Sequence, residues 1–415
     1  MNDIKSSASE QIPHQANTAP SSEPQRYYVK QLMLQRGANL GERISLLIDR
    51  VTGVPVTLPN ERMLCGQRLL LSPGSYFNEL SGISFIYRWA DKSDVSVAER
   101  LLGGIGFADH EVASIFSTVR RRQRRSKGGV TLVGKSEQRA RMTFIKNFVT
   151  DGMRIAAFKL DPRTDTDKLN ALQYRIETTR KLFEQNTPKR ERRPMKKGLN
   201  HASVQLLVAV ISPNSNENPW TDTAVRHRNF ILVLLYLVTG GRRGDLAKVK
   251  VSDVVLGPKP YIRFCAHVND PKDRRVAEPR LKTLPRDYPL QPAIASTVAR
   301  YIKEHRAEIP NADDSDYLLL ETSNGRELAL RTINEIFKTL QRFIPELTPH
   351  ILRHTNTESM LQSAEAQGLT EQEVLATIMY ANGWSTDNLH TYTARRREEA
   401  ARSIAMARQE EFLSK

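Results

Sequence analysis

The sequence predicts a multidomain, mainly α protein, with a helical N-terminal half and a mixed α+β C-terminal half that carries a small antiparallel sheet. Three observations predict it. The chain has 415 residues, more than one hydrophobic core usually serves. Its apolar residues recur mostly at helical spacing. Stretches with strand texture are short and confined to 28–57 and 261–290, where Gly and Pro break them.

Charge narrows the class of partner. The chain carries 62 Lys+Arg against 46 Asp+Glu, a formal net charge of +16. A surplus of that size points to a polyanion, nucleic acid before an anionic membrane surface. Only Cys65 and Cys265 are present. That excludes a disulfide framework and a zinc site built on cysteines, and it fits a reducing compartment. The longest apolar run, Phe230 to Val238, is about half a membrane-spanning helix. The N-terminus lacks a basic-then-apolar leader pattern. A cytoplasmic protein without a membrane partner is expected.

Residues 1–25 are rich in Ser, Gln, Asn, Ala and Pro without an apolar face and read as a disordered tail. Residues 26–64 form a small β-rich region. Its expected strands are Tyr28–Leu34, Ile44–Ile48 and Val54–Thr57, with turns at Gly37, Gly41 and Gly53. The hairpin around Asp49–Gly53 either contacts a partner or caps the next domain.

Residues 65–186 read as a helical domain. Tyr76, Leu80, Ile83, Tyr87 and Ala90 follow helical spacing after the start signal Pro73-Gly74-Ser75. Further helices are expected at 97–102, 111–116, 139–160 and 168–183. Phe85, Tyr87 and Trp89 are expected in the core, because stripes at this spacing face inward. Between helices, Arg120, Arg121, Arg122, Arg124 and Arg125 stand in six positions with no acidic neighbour, which suits phosphate contact. Residues 187–198 form a basic linker, bracketed by Pro188 and Pro194 and ended by Gly198. It brings Arg190, Arg192 and Arg193 as further candidate DNA contacts.

Beyond the linker, helices are expected at 204–211, from Thr221-Asp222 to Val238, and at 293–305, 330–343, 353–363 and 370–380. The strands are 261–265 and 286–290. Two stretches here carry chemistry. The helix ending at Val238 runs into Thr239-Gly240-Gly241-Arg242-Arg243-Gly244-Asp245-Leu246. The glycines let a ligand approach the backbone. Arg242 opens a short helix, where a guanidinium can grip a phosphate through paired N–H groups, and Asp245 one turn on is placed to hold that side chain. The second stretch is Thr348-Pro349-His350-Ile351-Leu352-Arg353-His354-Thr355. Thr348 is an N-cap and Pro349 suits the first helical position. His350 and Arg353, three apart, share a face at a helix opening that already favours an anion. Downstream come Gly383-Trp384-Ser385 and Tyr392, and tyrosine can carry a covalent intermediate.

In this order the motifs resemble those of the tyrosine recombinases, or phage integrases. That family's signature reads Thr-Gly-x-Arg-x-x-Asp/Glu-Leu, His-x-x-Arg-His-Thr, Gly-His/Trp-Ser and a final tyrosine. The resemblance covers 196–400 well and extends loosely over 65–186. It implies a core-binding domain at 65–186 and a catalytic domain at 199–400, with a tail at 401–415. It also implies that Arg242 and Arg353 clamp the two non-bridging oxygens of a DNA phosphate. His350 would donate to that phosphate or relay the tyrosine proton. Trp384, a histidine in many relatives, would donate its indole N–H and pack the tyrosine segment. Tyr392 would attack to give a 3′-phosphotyrosine and a free 5′-hydroxyl. That linkage retains the phosphodiester energy, so no cofactor and no metal is implied. A free phenol has a pKa near ~10, and surrounding cations would lower it.

The family's proton donor to the leaving oxygen is a lysine on a hairpin. Lys282-Thr283-Leu284-Pro285-Arg286 looks like a shortened form of that segment, so Lys282 is the choice over Lys272. The interval from Arg353 to Trp384 is longer than usual, and that from Trp384 to Tyr392 is about one residue short. The segment 395–402 is helix-prone and would dock on a neighbouring protomer, touch DNA or stay solvated. The expected function is site-specific DNA recombination for a mobile element. A homotetramer would act on double-stranded recombination sites, with accessory DNA-bending or partner recombinase proteins. A type IB topoisomerase-like enzyme and a non-cleaving DNA-binding regulator are the rivals.

Overall fold

The structure, a computed structural model, describes residues 25–122, 132–191, 196–386 and 394–413, with backbone alone at 394–400 and 411–413. Residues 1–24 of the tail expected at 1–25, and Arg124, Arg125, Arg192, Arg193 and Tyr392, lie outside the described residues. The chain is mainly α, with a two-stranded and a three-stranded antiparallel sheet. It divides into two compact units. One holds the described residues of Met1–Val29, Leu46–Arg62 and Glu79–Arg190, the other those of Lys30–Ser45, Met63–Asn78 and Glu191–Lys415.

Strands β1 (Tyr27–Met33) and β2 (Arg43–Asp49) pair with each other. The third strand expected at Val54–Thr57 is absent. Pro55 makes a single bridge to Ile48, and a proline cannot continue a ladder because it has no N–H. Thr57 instead opens helix α1 (Thr57–Glu61). Asn60 holds α1 to the sheet by side-chain hydrogen bonds to both main-chain groups of Leu47 at 2.8 Å.

Helix α2 (Pro73–Ser93), which belongs to the first unit from Glu79 on, and α3 (Val97–Leu102), α4 (Asp109–Val119), α5 (Lys135–Arg154) and α6 (Thr166–Gln185) follow the predicted periodicity. Phe85, Tyr87 and Trp89 are buried as expected. Trp89, Phe107 and Phe183 meet edge to face, the arrangement that ring quadrupoles favour. Arg120, Arg121, Arg122 and Arg190 are exposed.

The second unit is built around α8 (Thr223–Thr239). Leu232, Val233, Leu235 and Tyr236 are fully buried on all sides of it, so it is a central helix and not a surface one. Asp222 caps its start, accepting from Val225 N–H at 2.8 Å. Gly240 ends it in the left-handed conformation. Helices α7 (His201–Ile211), α9 (Arg243–Ala247), α10 (Pro292–Arg300), α11 (Leu330–Leu340) and α12 (Pro349–Ala366) share its core. The sheet β3 (Val254–Val255), β4 (Tyr261–Phe264) and β5 (Arg286–Pro289) is antiparallel in that order. β3 was not legible in the sequence, because two residues leave no period to read. Helix α13 (Glu371–Asn382) follows a capping box at Thr370 and Glu373, and α14 (Ala394–Leu413) closes the chain. No described helix is long and apolar enough to cross a membrane.

Charges are also buried in this unit. Asp273 grips Arg275 with both oxygens, at 2.8 and 2.9 Å, and lies 3.5 Å from Lys248 Nζ. Lys248 also donates to Glu278 at 2.6 Å, and Arg43 lies 3.7 Å from the same carboxylate. Removing one partner of such a set strands the others without solvent. Asp273→Ala is therefore expected to destabilise this unit by ~3–5 kcal/mol in urea unfolding of the full chain. A loss below ~1 kcal/mol, the worth of an exposed pair, would contradict the burial described.

Candidate active site

A cleft of about 580 Å³ in the second unit is lined by Lys196, Arg242, Arg243, Arg280, Lys282 and Arg353, together with His350. Among the described residues the one carboxylate in its lining is Glu278, which is already engaged by Lys248. Six formal cations against one occupied carboxylate make a site for an anion. Four of the residues singled out by sequence, Arg242, Lys282, His350 and Arg353, come to this cleft from three segments of the chain, the last two together on α12.

Arg353 is placed by α12. Thr348 Oγ accepts from Ile351 N–H at 3.2 Å and Pro349 takes the first turn, as the sequence predicts. The Arg353 side chain is 1% exposed. Nη1 donates to the Gly240 carbonyl at 2.7 Å and Nη2 to the Asn382 carbonyl at 3.2 Å. These carbonyls end α8 and α13, where helix dipoles present negative charge. Gly240 has φ 58°, and a Cβ there would lie 2.6 Å from Asn356 Oδ1. Asn356 itself donates to the carbonyls of Leu237 and Val238 at 3.0 and 2.8 Å. Both the turn and this close approach therefore require glycine.

Arg242 is the N-cap of α9 and half-buried. Its main-chain N–H donates to Asp245 Oδ2 at 3.1 Å. Among the described residues its guanidinium makes one long hydrogen bond, from Nη1 to the Lys282 carbonyl at 3.5 Å, which leaves donors for a ligand. The expectation that Asp245 holds the Arg242 side chain needs correcting. Asp245 is 1% exposed and takes main-chain and hydroxyl donors: Arg242 N–H, Lys282 N–H at 3.4 Å and Thr283 Oγ–H at 3.2 Å. It joins the first arginine turn to the Lys282 segment.

That segment is fastened again by Arg286. Nη1 donates to Thr283 Oγ at 2.8 Å and Nε to the Ala381 carbonyl at 2.8 Å. Leu284 N–H donates to the Gly383 carbonyl at 2.9 Å. Burial lowers the Arg286 pKa to about 10; Asp245 opposes this, and Arg353 and Arg242 add to it. It stays charged at neutral pH. Thr283 and Arg286 were quoted in the sequence only as part of a motif. Their spacing of three beside a lysine was the available signal.

Lys282 is exposed and lines the cleft. Lys272 does not line it and lies 3.4 Å from Asp316. Trp384 is 4% exposed and packs with Leu361, Ala364, Val374 and Ile378, its ring centroid 5.9 Å from the Arg353 guanidinium carbon. It stands behind Arg353 and is not part of the cleft lining. Sequence reasoning named neither Arg243 nor Arg280 as a site residue, and it treated Lys196 as linker.

His350 and His354 stand one turn apart on α12, with Nε2 atoms 3.2 Å apart. Desolvation lowers the His350 pKa, and Lys196, Arg353 and Arg242 add to it. Desolvation takes His354 down to about 4, with His350, Lys196 and Arg353 contributing. Both rings are thus neutral near pH 7, and one Nε2 must donate while the other accepts.

No family model and no curated protein matches the chain. Among solved structures it is similar to XerA recombinase, at 16% identity over 82% of this chain and 95% of that one, with a TM-score of 0.36. It is similar to XerH site-specific recombinase bound to palindromic difH substrate in a post-cleavage complex, at 14% identity over 72% and 85%, TM-score 0.39. A lambda integrase dimer bound to a COC′ core site is 13% identical over 91% and 96%, TM-score 0.35.

The His354 shift sets a pH dependence. Below its ordinary 6.5 the unfolded ring takes a proton that the folded ring refuses down to about 4. Stability is therefore full above pH 6.5 and falls as pH drops from 6.5 toward 4. His354→Gln should flatten part of that slope in thermal melts across this range, His350 supplying another part. A variant with the wild-type slope would show that His354 is not the titrating group.

Proposed function

We propose that this chain is a tyrosine recombinase, cutting and rejoining DNA through a 3′-phosphotyrosyl intermediate. The observation that carries the reading is the gathering of Arg242, Lys282, His350 and Arg353 around one cationic cleft. Three distant segments, the turn at Arg242, the stretch at Lys282 and the start of α12, converge on a site suited to one phosphate. A surface of scattered solvated charges would not arrange them so.

Each group then has a role. Arg242 and Arg353 bind the non-bridging oxygens and stabilise the extra charge of the five-coordinate phosphorus. The Tyr392 oxygen bonds to phosphorus as the bond to the 5′-oxygen breaks. His350, its pKa lowered and its ring neutral, takes the phenol proton or relays it toward His354. Lys282 delivers a proton to the leaving 5′-oxygen. Its place in the lining, and Lys272's absence from it, support that choice. Rejoining is the reverse, with the 5′-hydroxyl attacking the phosphotyrosine. Asp245 and Trp384 position the arginines. The exposed Arg120, Arg121, Arg122 and Arg190, with Arg124, Arg125, Arg192 and Arg193, would neutralise phosphates along the duplex.

On this reading 65–186 is a core-binding domain, 187–198 a linker across the duplex, and 199–400 the catalytic domain. The active form is a cytoplasmic homotetramer on two double-stranded sites, with accessory proteins, in the service of a mobile element.

A nicked suicide substrate drawn from the DNA flanking the gene tests this. The full chain should form a covalent adduct resistant to denaturation, and Tyr392→Phe should form none. Arg242→Ala should slow adduct formation by ~10²–10³-fold. Strand exchange on paired sites is expected, whereas relaxation of supercoils by a monomer would indicate a topoisomerase-like enzyme. Wild-type protein that binds such DNA without an adduct would overturn the reading in favour of a regulator.

A further inference from the structure

The β3–β4 hairpin carries a cluster that DNA cleavage does not use. Ligand atoms of Asp253, Cys265 and His267 all lie within 4.8 Å of one another. Asp253 directly precedes β3 and Cys265 directly follows β4. Antiparallel pairing at Val254 and Ile262 brings these two strand ends together. His267 Nε2 lies 2.8 Å from Asp253 Oδ2.

A plain histidine–aspartate hydrogen bond would need neither the thiol nor the backbone found here. His267 has φ 38°, a left-handed conformation that is uncommon for a residue with a side chain. Its carbonyl accepts from Lys248 Nζ at 2.6 Å. The Asp253 carboxylate is oriented in turn by Lys250 N–H, at 2.8 Å from Oδ2. Supports of this kind fix ligand orientation around metals.

We propose that Asp253, Cys265 and His267 form a mononuclear site for a zinc-type divalent cation, with water as the fourth ligand. One sulfur, one nitrogen and one oxygen donor suit a borderline ion in tetrahedral geometry, and not magnesium or calcium, which take oxygen. A carboxylate, a thiolate and a neutral imidazole balance a charge of two. Binding forms the metal–sulfur bond and releases the thiol proton to solvent. Asp253 is buried while Cys265 and His267 are half-buried, so one side stays open to water. The nearby cations are neutralised elsewhere, Lys248 by Glu278 at 2.6 Å and Lys250 by Asp270 at 2.8 Å. Two distant cysteines rule out a site made of thiolates, but a single thiolate suffices for this set. The ion would brace the turn that leads to Asp273 and its buried partners.

The inference does not depend on the DNA-cleaving reading, and its test needs no DNA. Chelator-treated full-length protein is titrated with Co²⁺ and then Zn²⁺. One equivalent of cobalt should bind with a thiolate-to-cobalt charge-transfer absorption, which zinc abolishes. Cys265→Ser should lose the absorption, Cys65→Ser should keep it, and Asp253→Asn should bind at least ~10-fold more weakly. Zinc should also protect Cys265 of the unaltered protein from alkylation. Absence of the absorption in wild type, its persistence in Cys265→Ser, or alkylation of Cys265 unchanged by zinc would each overturn the proposal.

Discussion

A guanidinium enclosed between two helix ends organises the second unit. Arg353 is almost fully buried, and it donates to the Gly240 carbonyl that caps α8 and to the carbonyl of Asn382 at the end of α13. A buried charge is tolerated only where such partners replace water. The helix C-termini supply them at their negative ends. Three elements far apart in sequence are thereby held to one point: the Gly240 turn, the start of α12 and the Gly383 turn. Displacing any of them would leave a buried cation without its acceptors.

Asp245 does the complementary work at the other wall. By accepting from the main chain of Arg242 and Lys282 and from Thr283, it sets where two cleft-lining cations begin without consuming their charged ends. Had it paired with the Arg242 guanidinium, the cleft would hold one fewer available clamp. Arg286 then ties the same segment to the turn before Trp384. Buried Arg286 serves the protein alone, through Thr283 and Ala381, and Arg353 gives two donors to the helix ends while still lining the cleft that half-buried Arg242 and exposed Lys282 face.

Burial beside these cations has a cost, which the histidines reflect. With water excluded by burial, and Lys196 and Arg353 nearby, His350 and His354 do not gain protons easily. A neutral imidazole among fixed cations can accept a proton from an incoming group, which a charged one could not. The positive field and the available base arise from the same arrangement.

Local signals determined much of this protein. Helices with a clear apolar period, the caps at Thr348 and Asp222 and the left-handed stop at Gly240 all formed where residue chemistry requires them. So did the ordered motifs bearing Arg242, His350, Arg353 and Lys282, because short-range geometry and residue type suffice to mark them. Tertiary structure decided the rest. It replaced the strand expected at Val54–Thr57 with a helix that Asn60 fastens to β2, a contact between positions no pattern links. It turned Asp245 from a holder of a side chain into a holder of backbones. It brought Lys196, Arg243 and Arg280 into the cleft, and Cys265 and His267 to Asp253. Such pairings depend on which distant carbonyls and carboxylates the fold makes neighbours, and no local period records that.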